Sequence, residues 1–129
     1  MNDIKIYTSY FSMMNKFDVS QFMYIRCSAS IPSWLKTPMT EITDSLYPKW
    51  YLLNQYKNGE IDWETYKSLY IKYLEENVNK EEIKQQVINL MKDRGYKCAV
   101  LFCWEKDAKH CHRTILAEWL FDDMYVHNE

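Results

Sequence analysis

The stretch "YKCAVLFCW", residues 96–104, constrains the fold more than any other part of the chain. It is short, almost wholly apolar, and bounded by Gly95 on one side and Glu105 on the other. Its length suits one strand, and apolar residues at odd and even positions alike predict burial on both faces. Helical patterns stand before and after it. A doubly buried strand between helices predicts an α/β fold. We expect a small three-layer, Rossmann-like, mostly parallel sheet flanked by helices, in a single domain spanning 1–129. The alternative is an α+β fold with a small mixed sheet.

The remaining elements follow from local patterns. "IKIYTSY" (4–10) and "QFMYIRC" (21–27) are rich in β-branched and aromatic residues and read as strands. Residues 29–45 carry Pro32, Pro38 and several Ser and Thr, and read as a long irregular connection. Trp50, Leu53 and Tyr56 share one helical face, with Gly59 as the stop. A second helix starts at Asp62 as N-cap, with Tyr66, Leu69, Tyr70, Tyr73 and Leu74 on one stripe. A third runs from the cap Asn79 to Gly95, a natural C′ residue. The segment "HRTILAEWLFDDM" closes the chain as a helix, with Ile115, Leu116, Trp119 and Leu120 inward.

Charge and targeting narrow the function classes. With 129 residues and a net charge of −2, the chain has no bulk attraction to nucleic acid or an anionic membrane. Its first residues lack the basic start and apolar core of a signal peptide, and no apolar run reaches the ~20 residues of a membrane span. A cytoplasmic location is therefore expected, with the four cysteines as reduced thiols.

The densest chemistry lies in "CWEKDAKHCHR", Cys103 to Arg113. In open α/β sheets, ligands bind beyond the carboxyl ends of strands. This loop leaves such an end and runs into a helix start, where free N–H groups and the dipole favour an anion. Lys106, Lys109, His110, His112 and Arg113 crowd there against Glu105 and Asp107. The leading reading is an anion site with the Arg113 fork on a phosphate. A second makes Cys103 a thiolate nucleophile, favoured by nearby cations. Nine residues separate Cys103 from Arg113, a longer loop than cysteine-dependent phosphatases use. A third reading, zinc on Cys103, His110, Cys111 and His112, conflicts with the usual ligand spacing, so no metal is expected. Cys98, inside the apolar strand, reads as a small hydrophobe.

The segment "LFCWEKDAKHCHRTILAEWL" resembles the C-terminal signature of the domain of unknown function 488 family: Cys-x-Glu-Lys-Asp, a short gap, then Cys-His-Arg. "IYTSYF" and "IPSWL" are similar to its opening strand and to a Pro–aromatic stretch after the second strand. The resemblance marks Cys103, Glu105, Lys106, Asp107, Cys111, His112 and Arg113, with Tyr7 and Thr8 from the first strand. It departs from the family at Tyr10, where many members carry a glycine. It departs again at Arg26, which lies six residues before Pro32 and so leaves a second phosphate-binding arginine open.

These readings combine into one expectation: a protein binding a phosphate-bearing small molecule, a nucleotide or nucleoside derivative, over residues 98–120. Whether it then acts on that ligand, as a hydrolase or transferase, is open, and no cofactor is expected. Glu105 would serve as base, His112 as acid or phosphate donor and Cys103 as nucleophile. Tyr7, Thr8, Arg26, Trp104, Lys106, Cys111 and Arg113 would contact the ligand. The alternative is a non-catalytic nucleotide-capturing or protein-interaction module. Nothing in the pattern argues against a homo-oligomer.

Overall fold

A computed structural model describes residues 3–127. Four strands, β1 (Lys5–Tyr10), β2 (Phe22–Arg26), β3 (Thr40–Glu41) and β4 (Cys98–Cys103), form one sheet in the order β1-β4-β2-β3. Every pairing is parallel, so the mixed-sheet alternative does not form. The apolar run is the central strand: Val100 lies opposite Tyr7 on one side and Tyr24 on the other.

Its two faces enter two cores. Ala99, Leu101 and Cys103 join the larger core, with the buried stripes of α1 (Trp50–Lys57), α2 (Trp63–Asn77), α3 (Lys80–Arg94) and α4 (His112–Leu120). Val100 and Phe102 join Phe11, Met14 and Tyr24 in a smaller one. There a 3-10 helix at Phe11–Lys16 forms the thinner third layer, and Tyr24 and Phe17 set ring edges on Phe102 at 4.9 and 5.7 Å. The fold is thus a three-layer α/β sheet of Rossmann-like type, with unequal outer layers.

Local signals in the chain form as their chemistry dictates. Asp62 accepts the Thr65 N–H at 2.8 Å and Asn79 accepts the Glu82 N–H at 3.1 Å, capping α2 and α3. Gly95 ends α3 at φ +79°, a conformation that disfavours a Cβ. Three features differ from expectation. The two residues of β3 lie inside the supposed irregular connection. In α1 the buried residue is Leu52, whereas Trp50 is 74% exposed. The last helix stops at Leu120, before two aspartates that would oppose its dipole. Asp123 instead pairs with Lys84 at 2.7 Å, and the chain then runs beside β1, Val126 donating to the Ile6 carbonyl at 2.8 Å. That tail covers a sheet edge that would otherwise be open.

No helix among the described residues is long and apolar enough to cross a membrane.

Topology fixes where a ligand fits. From the carboxyl end of β4 the chain turns into α4, which packs on β4 and β1. From that of β2 it departs the other way, to β3 at the opposite edge. Two neighbouring parallel strands whose exits diverge leave a crevice between them, the switch point at which such sheets bind ligands.

Candidate functional site

Cys103, the last residue of β4, stands at this crevice, and His112, the first residue of α4, stands beside it. The His112 Nε2 lies 2.7 Å from the carbonyl oxygen of Cys27, just past β2. A carbonyl only accepts, so Nε2 carries a hydrogen and donates. Nδ1 faces the Cys103 Sγ at 3.7 Å. Sulfur, imidazole and an orienting acceptor therefore stand in the order that activates a nucleophile.

Two further groups act on the sulfur. The Cys111 thiol lies within 4.8 Å of the Cys103 sulfur, and it and the Glu105 backbone N–H both favour a charged sulfur there. Cys111, aided by the charge of His112 and opposed by burial, lowers the Cys103 thiol to about 3. Cys111 itself is pushed up, first by burial and then by Cys103. Burial works against an imidazolium at His112, yet the Cys103 charge outweighs it and the His112 pKa rises well above its ordinary value. Both directions favour a thiolate at Cys103 beside an imidazolium at His112.

This pair predicts a specific pH dependence of folding. The unfolded chain has a thiol titrating near 8.5 and an imidazole near 6.5, whereas the folded pair holds one proton throughout. Below about pH 6.5 the unfolded state binds two protons to the folded state's one, so stability falls with acid. Above about pH 8.5 it binds none, so stability falls with base. Between these values the proton counts match. Comparing Cys103→Ser/His112→Gln with the parent by urea denaturation from pH 5 to 10 should show the parent losing a plateau-shaped advantage at both ends. A difference constant across the range would rule out the charged pair.

The crevice opens above this pair as a cavity of about 670 Å³. Cys103 and His112 lie at its inner wall, Tyr47, Trp50 and Trp104 supply aromatic surface, and Lys49 and Lys57 supply positive charge. Trp104 is held in place by its Nε1, which donates to the Ser30 carbonyl at 3.1 Å and hydroxyl at 3.0 Å.

A family model described as "DUF488-N3a: Active DUF488-N3 subclade" matches residues 26–123, from the end of β2 through α4. The chain belongs to the DUF488 family. No curated protein and no solved structure matches it. Within this DUF488 domain the matched range holds Cys103, His112 and every cavity residue named above, while β1 lies outside it.

The structure gathers some of the sequence-derived residues and disperses others. Cys103, Cys111 and His112 converge, their ligand-type atoms all within 4.8 Å of one another. Among the described residues they are the group that could hold an ion, as a two-sulfur, one-nitrogen set. Consecutive residues reach one point because Cys111 is extended (φ −131°, ψ 140°) where α4 begins. His110 turns away to Asp107, 2.7 Å distant. Glu105 pairs with Lys57 at 3.2 Å, not with Arg113 or Lys106, and Lys106 is exposed.

Arg113 does not reach the cavity. It is wholly buried, and its guanidinium donates to the backbone carbonyls of Glu105 and, at 3.4 Å, Lys106. The expectation of a phosphate on its fork is corrected: the fork holds the loop. A negative charge does stand near this helix start, in the Cys103 thiolate itself. Arg26 likewise holds backbone, donating to the carbonyls of Ser28 at 2.9 Å and Ala29. Tyr7 and Thr8 lie mid-strand opposite Val100 and Leu101, away from the carboxyl end. Tyr7 packs against Phe22, and Thr8 Oγ1 lies 3.2 Å from the Tyr125 hydroxyl. They stand within the sheet and do not line the switch-point cavity.

Lys49 and Lys57 were not singled out from the sequence, and Trp50 was read only as part of a helical face. One signal was present: a tryptophan opening a helix and a lysine seven residues on share a face with Leu53.

Proposed function

We propose that this DUF488 protein is a cysteine-dependent enzyme acting on a phosphate-bearing, nucleotide-like small molecule bound in the switch-point cavity. The observation that carries this reading is the Cys103–His112 pair at the cavity wall, oriented by the Cys27 carbonyl. Lys49 and Lys57 would take the phosphate and the Trp104 face the planar part of the ligand. The sulfur lone pair forms a bond to the electrophilic centre. The leaving group departs with its own electron pair and takes a proton from His112 Nδ1. Water or a second reactant, losing its proton to the same nitrogen, then displaces the thiolate. A module that only captured a nucleotide would have no use for a buried thiolate, which is why the catalytic reading stands ahead of the binding one.

Protection of Cys103 from iodoacetamide, followed by peptide mass spectrometry, tests the reading. Nucleoside monophosphates are expected to slow Cys103 labelling in a saturable way. Lys49→Ala combined with Lys57→Ala should weaken that protection about tenfold or more, the loss of one charge-assisted contact. Labelling that no phosphate-bearing nucleotide slows would overturn it.

A further inference from the structure

Cys103, Cys111 and His112 are each at most 5% exposed, and their two sulfurs and one nitrogen lie within 4.8 Å of one another. Cys103 Sγ and His112 Nδ1 stand 3.7 Å apart. A sulfur at ~2.3 Å and a nitrogen at ~2.0 Å from one tetrahedral ion lie about 3.5 Å apart. The observed separation is close to that of two ligands on a common ion.

The imidazole is held as a ligand would be. Its Nε2 donates to the Cys27 carbonyl at 2.7 Å, which fixes the ring and leaves Nδ1 turned to the sulfurs. A ring N–H given to a backbone carbonyl is the usual support behind a metal-bound histidine. The other ligand-type groups nearby are engaged elsewhere. His110 pairs with Asp107 and Glu105 with Lys57, and Cys27 Sγ donates to the Phe102 carbonyl at 3.2 Å. The set is therefore three protein ligands. Cys103 and His112 border the switch-point cavity, from which water supplies a fourth, a coordination that zinc accepts.

The donor chemistry selects the ion. Two thiolates and an imidazole suit zinc, whereas Mg²⁺ and Ca²⁺ take oxygen ligands. Two thiolates also cancel the charge of a divalent ion, so the buried complex carries no net charge of its own.

We infer that Cys103, Cys111 and His112 form a binding site for one Zn²⁺ ion, whose occupation takes Cys103 out of reaction. The ion takes the sulfur lone pair that would attack the electrophile and the nitrogen that would pass the proton. The protons on these groups leave as it binds, and no electron is transferred. The inhibition rests on the Cys103 reading proposed above; the site itself does not.

Titration of the reduced, chelator-stripped full chain with zinc chloride tests it, read by calorimetry and by iodoacetamide labelling of Cys103. About one zinc per chain is expected, with a Kd of about 1 μM or tighter. Saturating zinc should slow Cys103 labelling about tenfold or more, and chelator should restore it. Cd²⁺ in its place should give an ultraviolet sulfur-to-metal charge-transfer band. Cys111→Ser should weaken zinc binding about 100-fold or more, since loss of a merely supporting residue already costs about 10- to 100-fold. His110→Ala should keep both binding and protection. A parent that binds no zinc, gives no Cd²⁺ band or labels equally fast with zinc overturns the site, whether or not Cys111→Ser folds. So does undiminished binding by a folded Cys111→Ser, or loss of binding in His110→Ala. If nucleoside monophosphates protect Cys103 and zinc does not bind, only the zinc site fails. If zinc binds through Cys111 and no monophosphate protects Cys103, only the Cys103 reading fails.

Discussion

Arg113→Ala is expected to lower the melting temperature by roughly 10–20 °C, measured by circular dichroism. The guanidinium is fully buried and bridges two carbonyls of the loop that follows β4. Its removal leaves those carbonyls without a donor and takes away a cation near a buried thiolate. Breaking a buried charged arrangement costs about 3–5 kcal/mol. For a domain of this size each kcal/mol shifts the midpoint by roughly 3–5 °C. Arg113→Lys should recover only part, because an ammonium cannot span both carbonyls with one planar fork. A variant that melted like the parent while losing nucleotide protection of Cys103 would restore the sequence-based reading of Arg113 as a ligand residue.

The second large effect concerns His112. His112→Gln keeps an amide that can still donate to the Cys27 carbonyl but carries no charge. Without the imidazolium the Cys103 thiol moves back toward its ordinary range, though Cys111 still holds it down, and the thiolate fraction at pH 6 falls. The more basic thiolate is intrinsically a better nucleophile, which offsets about half of that fall on a logarithmic scale. Alkylation of Cys103 at pH 6 should therefore slow by roughly tenfold, with a much smaller change at pH 9. An equal slowing at both pH values would mean that His112 controls access to the sulfur and not its charge.

The features legible in the sequence are those that depend on a few neighbouring residues. The unbroken apolar run of β4 could be satisfied only by layers on both sides, and the caps at Asp62 and Asn79 bond within one turn. β3 was not legible, because two residues contain no alternation. The rotation of α1 was hidden because Trp50, as apolar as Leu52, is exposed at the cavity while Leu52 is in the core.

At the site, composition pointed to the eleven-residue segment that borders the crevice but not to the partners within it. Arg113 at a helix start, amid cations, implied an anion. That the loop folds back to offer carbonyls of Glu105 and Lys106 is a property of the tertiary path. The objection to adjacent ligand-type residues assumed one backbone conformation. The extended Cys111 followed by the helical His112 lets both side chains meet Cys103. The role of the Cys27 carbonyl has no sequence signal, since any residue presents one.

Cys103 is expected to rest as a thiolate favoured by His112 and Cys111. The most direct measurement is the rate of Cys103 alkylation by iodoacetamide in the parent protein from pH 5 to 9, resolved by peptide mass spectrometry. The rate is expected to change by no more than a few-fold across that range, because a lowered thiol is already ionised at pH 5. A rate that falls about tenfold for each pH unit below 8.5, as for an ordinary thiol, would contradict it.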